Sequence, residues 1–183
     1  MVIRGHPTIT RFDSRNCTHE SLDTLFSALT TLPALESITL GAPEVMQANE
    51  STLANPESLT ELLRLPTLRS FSFAYFFFTP ALCQATANAF TEGTAVTKLE
   101  CWNCSFSNGE CATIMANGFS RNTSVISISV RCNNDPALFG AVSAALTSNS
   151  TLRYLEWGGS VYVRDPHNRE LLPIFSALGH NSG

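Results

Sequence analysis

One short apolar pattern recurs five times along the 183-residue chain. Each copy has apolar side chains at its first, fourth and sixth positions, and the alternation at its end is typical of a β-strand with one buried face. The copies are Leu35-Ile38-Leu40, Leu68-Phe71-Phe73, Val96-Leu99-Cys101, Val125-Ile128-Val130 and Leu152-Leu155-Trp157. Their first residues are separated by 33, 28, 29 and 27 positions. A recurrence of this length indicates a repeat architecture, in which each repeat is one supersecondary unit.

A second pattern follows the strand-like copies in phase with them. Apolar and small residues recur at helical spacing in ALCQATANAF, ECATIMANGF, ALFGAVSAAL and ELLPIFSAL, at residues 81–90, 110–119, 137–146 and 170–178. Small residues in these segments would let neighbouring helices lie close together and close to a sheet: Ala87, Ala89, Ala116, Gly118, Ala144 and Ala145. One repeat is therefore predicted to consist of a strand, a loop, a helix and a second loop.

The order of the two patterns predicts an α/β fold. A strand followed by a helix makes a right-handed unit that cannot bury its apolar face alone. Stacked units would form a solenoid, a horseshoe arc with a parallel β-sheet on the concave face and helices on the convex face. We expect residues 1–183 to form one domain of about five to six repeats of 27–33 residues. The last residues, GHNSG, match the linkers before earlier strands. We therefore expect a fragment of a longer array, whose uncapped ends allow self-association.

The repeat that begins at Val96 follows the pattern of a known family. Five of its residues match L-x-x-L-x-L-x-x-N/C-x-L, namely Val96, Leu99, Cys101, Cys104 and Phe106. The chain thus resembles the leucine-rich repeat proteins and, by its repeat length, their ribonuclease-inhibitor-like branch. The resemblance extends from about residue 35 to the C-terminus, with a weaker unit at residues 9–29. Only Cys104 and Asn133 match the Asn/Cys position. The resemblance implies a protein-binding solenoid that needs no cofactor.

The same repeat contains a C-x-x-C, whose spacing is also found in zinc sites and redox pairs. A zinc site needs further ligands, yet no histidine lies between His19 and His167. A redox pair usually opens a helix, whereas this one closes a predicted strand. Position in the repeat accounts for both thiols. Cys101 is the third apolar residue of the strand, and Cys104 stands where the resemblance implies a side chain that turns inward to loop backbone groups. We expect no bound metal.

Composition excludes two classes of partner. Charged residues make up 14% of the chain and the net charge is −4, so the basic surface that phosphate contacts require is missing and nucleic acid is not expected as a partner. No segment reaches the ~20 apolar residues that span a bilayer, since FSFAYFFF at 71–78 is too short, and no membrane partner is expected.

The spacing of the cysteines indicates the cellular compartment in which the protein is expected. The six cysteines are irregularly spaced, which favours free thiols in a reducing, cytoplasmic location. Five N-x-S/T sequons leave secretion open as an alternative, and they begin at Asn16, Asn49, Asn103, Asn122 and Asn149.

Candidate catalytic residues are few. The four histidines are scattered through polar linkers, where solvated loop positions explain them. Asp165, His167 and Glu170 do cluster, but they flank a predicted turn and helix start, where capping and dipole effects favour such residues. The sequence has no Gly-rich phosphate loop, nucleophile elbow or paired-carboxylate motif. We expect a protein that is not an enzyme.

Binding is expected on the outer side of the strands, because residues between the buried positions point away from the core. On the first two predicted strands these residues are small. The last three strands carry larger polar and aromatic side chains in one patch: Lys98, Glu100, Trp102, Arg131, Tyr154 and Glu156. Trp, Tyr and Arg dominate the energetics of protein interfaces. In the alternative interpretation, Trp102 covers a neighbouring strand edge and Arg131 pairs with Glu100.

These observations predict a protein–protein interaction module that binds another protein through the concave sheet face. No residue selects among the inhibitors, sensors, adaptors and GTPase-activating proteins of the family that the chain resembles. The alternative function is a regulator that stimulates a GTPase. That role requires a basic residue at the rim of the sheet, for which Arg131 and Arg164 are the candidates.

Overall fold

The computed structural model describes residues 6–14, 22–41, 55–107, 109–131, 143 and 147–157. Their helices and strands are, in chain order, β1 (Arg11–Ser14), α1 (Leu22–Leu29), β2 (Ser37–Gly41), α2 (Pro56–Leu63), β3 (Ser70–Ala74), β4 (Phe77–Phe78), α3 (Pro80–Glu92), β5 (Lys98–Trp102), β6 (Ser105–Phe106), α4 (Gly109–Arg121), β7 (Ser127–Arg131) and β8 (Tyr154–Trp157). Within these ranges, every helix is too short or too polar to cross a membrane.

Six strands form one parallel sheet, in which the order in space follows the order along the chain, β1-β2-β3-β5-β7-β8. Equivalent apolar residues of successive repeats are paired, since Ile38 lies opposite Phe71 and Phe71 lies opposite Leu99. The row continues onto β7 and β8. All five predicted strands are therefore confirmed, and the weaker unit at residues 9–29 contributes a sixth strand, β1, and helix α1. The α/β class and the parallel sheet are confirmed with them.

The helices pack in chain order, each against the next. The predicted helices that begin at residues 81 and 110 are confirmed as α3 and α4, while the two predicted further along lie almost entirely outside the described residues. Gly118 of α4 stands directly against α3, because a Cβ atom at this position would lie 2.7 Å from the Cα atom of Ala87. The expectation that small residues permit close helix packing is thus confirmed for this pair.

Two helices begin at a polar cap followed by proline. The Asn55 side chain accepts a hydrogen bond from the N–H of Glu57 at 3.1 Å, and Pro56 opens α2. Thr79 accepts one from the N–H of Leu82 at 3.3 Å before α3. Both arrangements satisfy N–H groups that a helix start leaves unpaired. The periodic pattern did not predict α2, although an asparagine before a proline is a helix-start signal.

Phenylalanine side chains form the centre of the core between the sheet and the helices. The ring of Phe73 lies 4.7 Å from that of Phe71, 5.2 Å from that of Phe76 and 5.1 Å from that of Phe78, measured between centroids. All four rings are buried. The apolar segment at 71–78 is therefore central to the core of one repeat: Phe71, Phe73, Phe76 and Phe78 are buried, whereas Tyr75 in the intervening loop is exposed.

Buried asparagines connect successive repeats. Asn149 donates through Nδ2 to the carbonyls of Phe119 and Asn122, at 2.7 and 3.0 Å, and its Oδ1 accepts from the N–H of Leu152 at 2.8 Å. Asn122 has the same role one repeat earlier, since its Oδ1 accepts from the N–H of Val125 at 2.7 Å. The asparagines of two of the five sequons are thus buried in the folded chain, and their amides link one helix end to the next strand.

Candidate functional site

Among the described residues, helices cover one side of the strands and no helix covers the other. The inward side chains of β2, β3, β5 and β7 join one apolar core with most of the buried apolar residues of α1 to α4. The outward residues form the face opposite these helices, which we call the open face. It consists of Arg11, Asp13, Ser37, Thr39, Gly41, Ser70, Ser72, Ala74, Lys98, Glu100, Trp102, Ser127, Ser129, Arg131, Tyr154 and Glu156.

The structure places all six predicted site residues on three neighbouring strands of the open face. Lys98 and Tyr154 are both paired with Ser127, and Glu100 and Glu156 are both paired with Ser129; the remaining two, Trp102 and Arg131, are paired with each other. Paired residues lie about 5 Å apart at the backbone. The six residues therefore form one contiguous patch, in the register that the repeat pattern predicts.

Two aromatic side chains of the patch are exposed. Trp102 is 41% exposed and Tyr154 is 55% exposed. They stand at opposite corners, since Trp102 ends β5 and Tyr154 begins β8. Aromatic rings of this size are normally buried, so their exposure provides a large apolar contact area at each end of the patch.

The charged residues between the aromatics have defined partners. The Lys98 Nζ and Glu100 Oε1 atoms form an ion pair at 2.7 Å, and the Ser129 hydroxyl donates to Glu156 Oε2 at 3.0 Å. The structure describes the backbone of Arg131 but not its side chain, so the alternative pairing of Arg131 with Glu100 lies outside the described side chains. The described ion pair places both signs of charge on the strand that ends at Trp102.

Tyr75 is a functional candidate that the sequence did not single out. It follows β3 with φ of 61°, donates its backbone N–H to the Trp102 carbonyl at 2.8 Å, and is 40% exposed. Asn103, at the equivalent position after β5, has φ of 48°. Asparagine tolerates this left-handed region, whereas a bulky side chain is strained there. A strained, exposed aromatic beside Trp102 suggests a role in recognition, and no sequence pattern signals it because the strain depends on the loop backbone.

The cysteines of the C-x-x-C have the buried, inward positions predicted for them. Cys101 and Cys104 are both buried. The Cys104 thiol lies 3.6 Å from the Phe73 carbonyl oxygen and 3.4 Å from that of Trp102, so it turns inward and contacts carbonyl groups of strands β3 and β5 rather than of a loop. In the part of the chain that the structure describes, no three His, Cys, Asp or Glu residues are grouped as metal ligands would be.

Two further thiols stand at the starts of α3 and α4. Cys83 and Cys111 are fully buried, and Cys111 donates to the Phe78 carbonyl at 3.4 Å. Burial raises the pKa of the Cys83 thiol far above its ordinary value, and the neighbouring Cys111 raises it further. Because the thiolate is the reactive form of cysteine, Cys83 is a structural residue without nucleophilic character at neutral pH.

The remaining candidates fall outside this region. Asp165, His167, Glu170 and Arg164 lie outside the described residues, as does Asn133. Among the histidines, His6 alone is described; it is exposed, and its Nδ1 lies 3.2 Å from the Thr8 hydroxyl.

No protein-family model matches the chain, and no curated protein is significantly similar to it. The residues of the open face, and the contacts between them, are therefore the basis on which a function is inferred.

Proposed function

We propose that the chain is a leucine-rich repeat solenoid that acts as a protein–protein interaction module, with the open face as its concave binding surface. The six-stranded parallel sheet in chain order, with equivalent residues paired from repeat to repeat, supports this proposal. The row of helices on the opposite side supports it as well. The Cys104 thiol stands at the Asn/Cys position and turns inward to carbonyls of β3 and β5, which fits the same family pattern.

The exposure of Trp102 on the open face carries the functional part of the proposal. An indole that is 41% exposed costs free energy in water and gains it when a partner covers the ring. Trp102 has small Ala74 on one side in the sheet and Arg131 on the other. Tyr75 adds a second exposed ring from the loop that is hydrogen-bonded to the Trp102 carbonyl. Large aromatic rings that a partner covers are typical hot spots.

The polar residues near Trp102 would determine which partner fits. The Lys98–Glu100 ion pair is solvent-accessible, so it contributes little to stability and remains available to charges of a partner. Electrostatic complementarity of this kind affects association rate and selectivity more than total affinity. The function we infer is therefore recognition of another protein, with aromatic side chains for affinity and flanking charges for selectivity, and without catalysis.

A cytoplasmic location is part of the proposal. The described cysteines, Cys83, Cys101, Cys104 and Cys111, are buried and form no disulfide, which is the usual state of thiols in a reducing compartment. The sequons at Asn122 and Asn149 are buried and engaged in hydrogen bonds between repeats, so the folded chain offers neither amide to a glycosylating enzyme.

The experiment that tests the proposed function is affinity capture with the whole chain, followed by binding measurements on variants. A partner identified by mass spectrometry should bind Trp102→Ala roughly thirtyfold more weakly than the unaltered chain, which corresponds to ~2 kcal/mol. Ile126→Ala is the matched control, because Ile126 is 43% exposed but precedes β7. Unchanged affinity of Trp102→Ala for every captured partner would contradict the proposal.

A further inference from the structure

Two neighbouring strands of the open face carry small side chains only. Their outward residues are paired across β2 and β3, Ser37 with Ser70, Thr39 with Ser72 and Gly41 with Ala74. All six are uncharged, and threonine is the largest. Gly41 and Ser72 are buried although they face outward. The two strands therefore form a low, flat floor on the open face.

The strands on either side of this floor carry longer, charged residues. On one side, β1 presents Arg11 and Asp13, which are exposed. On the other side, β5 presents Lys98, Glu100 and Trp102. The backbones of β1 and β5 are three strand spacings apart, or about 14 Å. The open face thus contains a trough, with β2 and β3 as its floor and the side chains of β1 and β5 as its walls.

The dimensions of the trough favour one shape of ligand. A helix with its side chains is about 10–12 Å across, which exceeds the space left between walls that each carry side chains. An extended chain is narrower, and its alternate side chains project to the same side at about 6.6–7 Å intervals. The trough therefore fits one extended polypeptide that runs along the strands.

The charges of the two walls are arranged in rows. In the first row, Arg11 and Lys98 are at opposite ends, with Ser37 and Ser70 between them. Two residues further along the strands, the second row has acidic ends, Asp13 and Glu100, with Thr39 and Ser72 between them. A third row consists of Gly41, Ala74 and Trp102. Along the trough, both walls are thus first basic and then acidic, and one wall ends in an aromatic ring.

We infer that the trough binds an extended polypeptide segment whose alternate side chains are acidic, basic and apolar, in that order along the trough. The acidic side chain meets Arg11 and Lys98, and the basic one, two residues away, meets Asp13 and Glu100. The apolar side chain packs on Ala74 against Trp102. The spacing of the rows equals the spacing of alternate residues in an extended chain, so one segment contacts all three rows without bending.

This inference rests on the proposed function, because Trp102 belongs to both, and it adds the chemistry of the partner. The Lys98–Glu100 ion pair is no obstacle, since accessible pairs of this kind are weak and exchange readily for others. A neutral oligosaccharide could use the hydroxyl groups of the floor and the ring of Trp102. Such an oligosaccharide has no charges to complement the four charged wall residues. The proposed peptide, in contrast, has a complementary side chain for each of the three rows.

The test uses the whole chain and labelled synthetic peptides in fluorescence polarisation. In the first peptide, glutamate, lysine and leucine occupy alternate positions with serine between them. In the second, glutamate and lysine are exchanged, so length, composition and net charge are the same but the acidic residue stands in the middle. The first peptide should bind about tenfold more tightly, whichever direction it runs, and added salt should reduce the difference.

A charge-reversed trough provides the matched variant. The fourfold substitution Arg11→Asp, Asp13→Arg, Lys98→Glu and Glu100→Lys keeps the net charge and should make the second peptide the tighter ligand. Its thermal midpoint shows whether it is folded. If it is not folded, the pair Lys98→Glu and Glu100→Lys reverses one wall and should remove the preference.

Equal affinity for the two peptides, a preference that the reversed trough retains, or no binding of either up to about 1 mM would overturn the inference. Binding of a neutral glucose oligosaccharide in the absence of peptide binding would also overturn it. These outcomes are separable from failure of the proposed function. A partner protein lost on Trp102→Ala would leave that function standing without the trough, whereas a peptide preference that reverses with the charges would support the trough even if no captured partner depends on Trp102.

Discussion

Two neighbouring repeats, at residues 70–92 and 98–121, have equivalent strand positions 28 residues apart and distribute the bulk of their strand side chains in opposite ways. The first has Phe73 on the inward side of its strand, where the second has Cys101. On the outward side, the first has Ala74 where the second has Trp102. Backbone pairing is the same in both. A repeat can therefore move its large side chains from core to surface without changing its fold, because the register is set by its neighbours along the sheet.

Within one sheet, the strand of one repeat contributes mainly to stability and the strand of the next contributes mainly to the proposed recognition surface. The 70–92 repeat contributes a cluster of buried phenylalanine rings, and its outward residues form part of the flat floor. The 98–121 repeat contributes less to the core at its strand, while its outward residues form a wall of the trough and part of the predicted patch. Substitutions at equivalent positions should consequently have different effects in the two repeats.

The largest difference is expected inside the strands. Phe73→Ala should reduce the free energy of unfolding by ~3–5 kcal/mol, because the ring has three aromatic neighbours that cannot close the cavity. Cys101→Ala, at the equivalent position, removes one sulfur atom and should cost about 1 kcal/mol. Chemical denaturation of both variants measures the two values. Equal losses of unfolding free energy would show that Phe73 contributes no more to the core than Cys101 does.

The contact between the two repeats is tested by Gly118→Ala. A Cβ atom at Gly118 would lie 2.7 Å from the Cα atom of Ala87, so α3 and α4 must separate, at a cost of ~1–3 kcal/mol in unfolding free energy. Gly109→Ala is the matched control in the same helix, since a Cβ atom there has no neighbour within 4 Å. A thermal denaturation series compares them. Similar midpoints for the two variants would contradict the close approach of the helices.

The buried thiol of Cys83, beside Cys111, predicts how the free energy of unfolding depends on pH. Burial, and then Cys111, raise the pKa of Cys83 in the folded chain, so the folded state holds its proton where the unfolded state releases it. The resulting stability is present below the ordinary thiol pKa of about 8.5 and falls by about 1.4 kcal/mol per pH unit above it. Denaturation between pH 8 and 10 should show a shallower decline for Cys83→Ala. An identical slope would mean that folding does not raise the pKa of Cys83.

The smallest effect on stability is expected on the open face. Trp102→Ala should change the unfolding free energy by no more than about 0.5 kcal/mol, because 41% of the residue is exposed and it stands outside the core. The same variant is the one that should lose binding. Denaturation and binding measured on one preparation test both statements. A loss of several kcal/mol in stability would move Trp102 from the recognition surface to the core.

The strands and their register were predictable because a period-2 apolar pattern within a fixed repeat leaves one choice of face. A slip by one residue would have put Trp102 inward in place of Cys101. The contacts of the predicted patch were harder to foresee. Lys98 and Glu100 stand two residues apart on one strand and pair with each other, so neighbours along a strand compete with neighbours across the sheet.

The repeat pattern predicts neither the exposure of Tyr75 nor helix α2. The exposure of Tyr75 results from a left-handed backbone held by the Trp102 carbonyl, and such loop geometry depends on the neighbouring repeat. Helix α2 is only eight residues long, and its leucines at helical spacing, Leu59, Leu62 and Leu63, cover little more than one turn, which is too short a run for a periodic pattern to identify. The trough depends on the register of β1, whose unit departs most from the repeat pattern.

The asparagines between repeats have a consequence for how the chain unfolds. Asn149 binds the helix end of one repeat and the strand start of the next, and Asn122 does the same one step earlier. A repeat that opens would leave the buried amide of its neighbour without partners, at a cost that favours opening both. These amides couple neighbouring strand–helix units, so a fluctuation that opens one unit should open the adjacent unit with it.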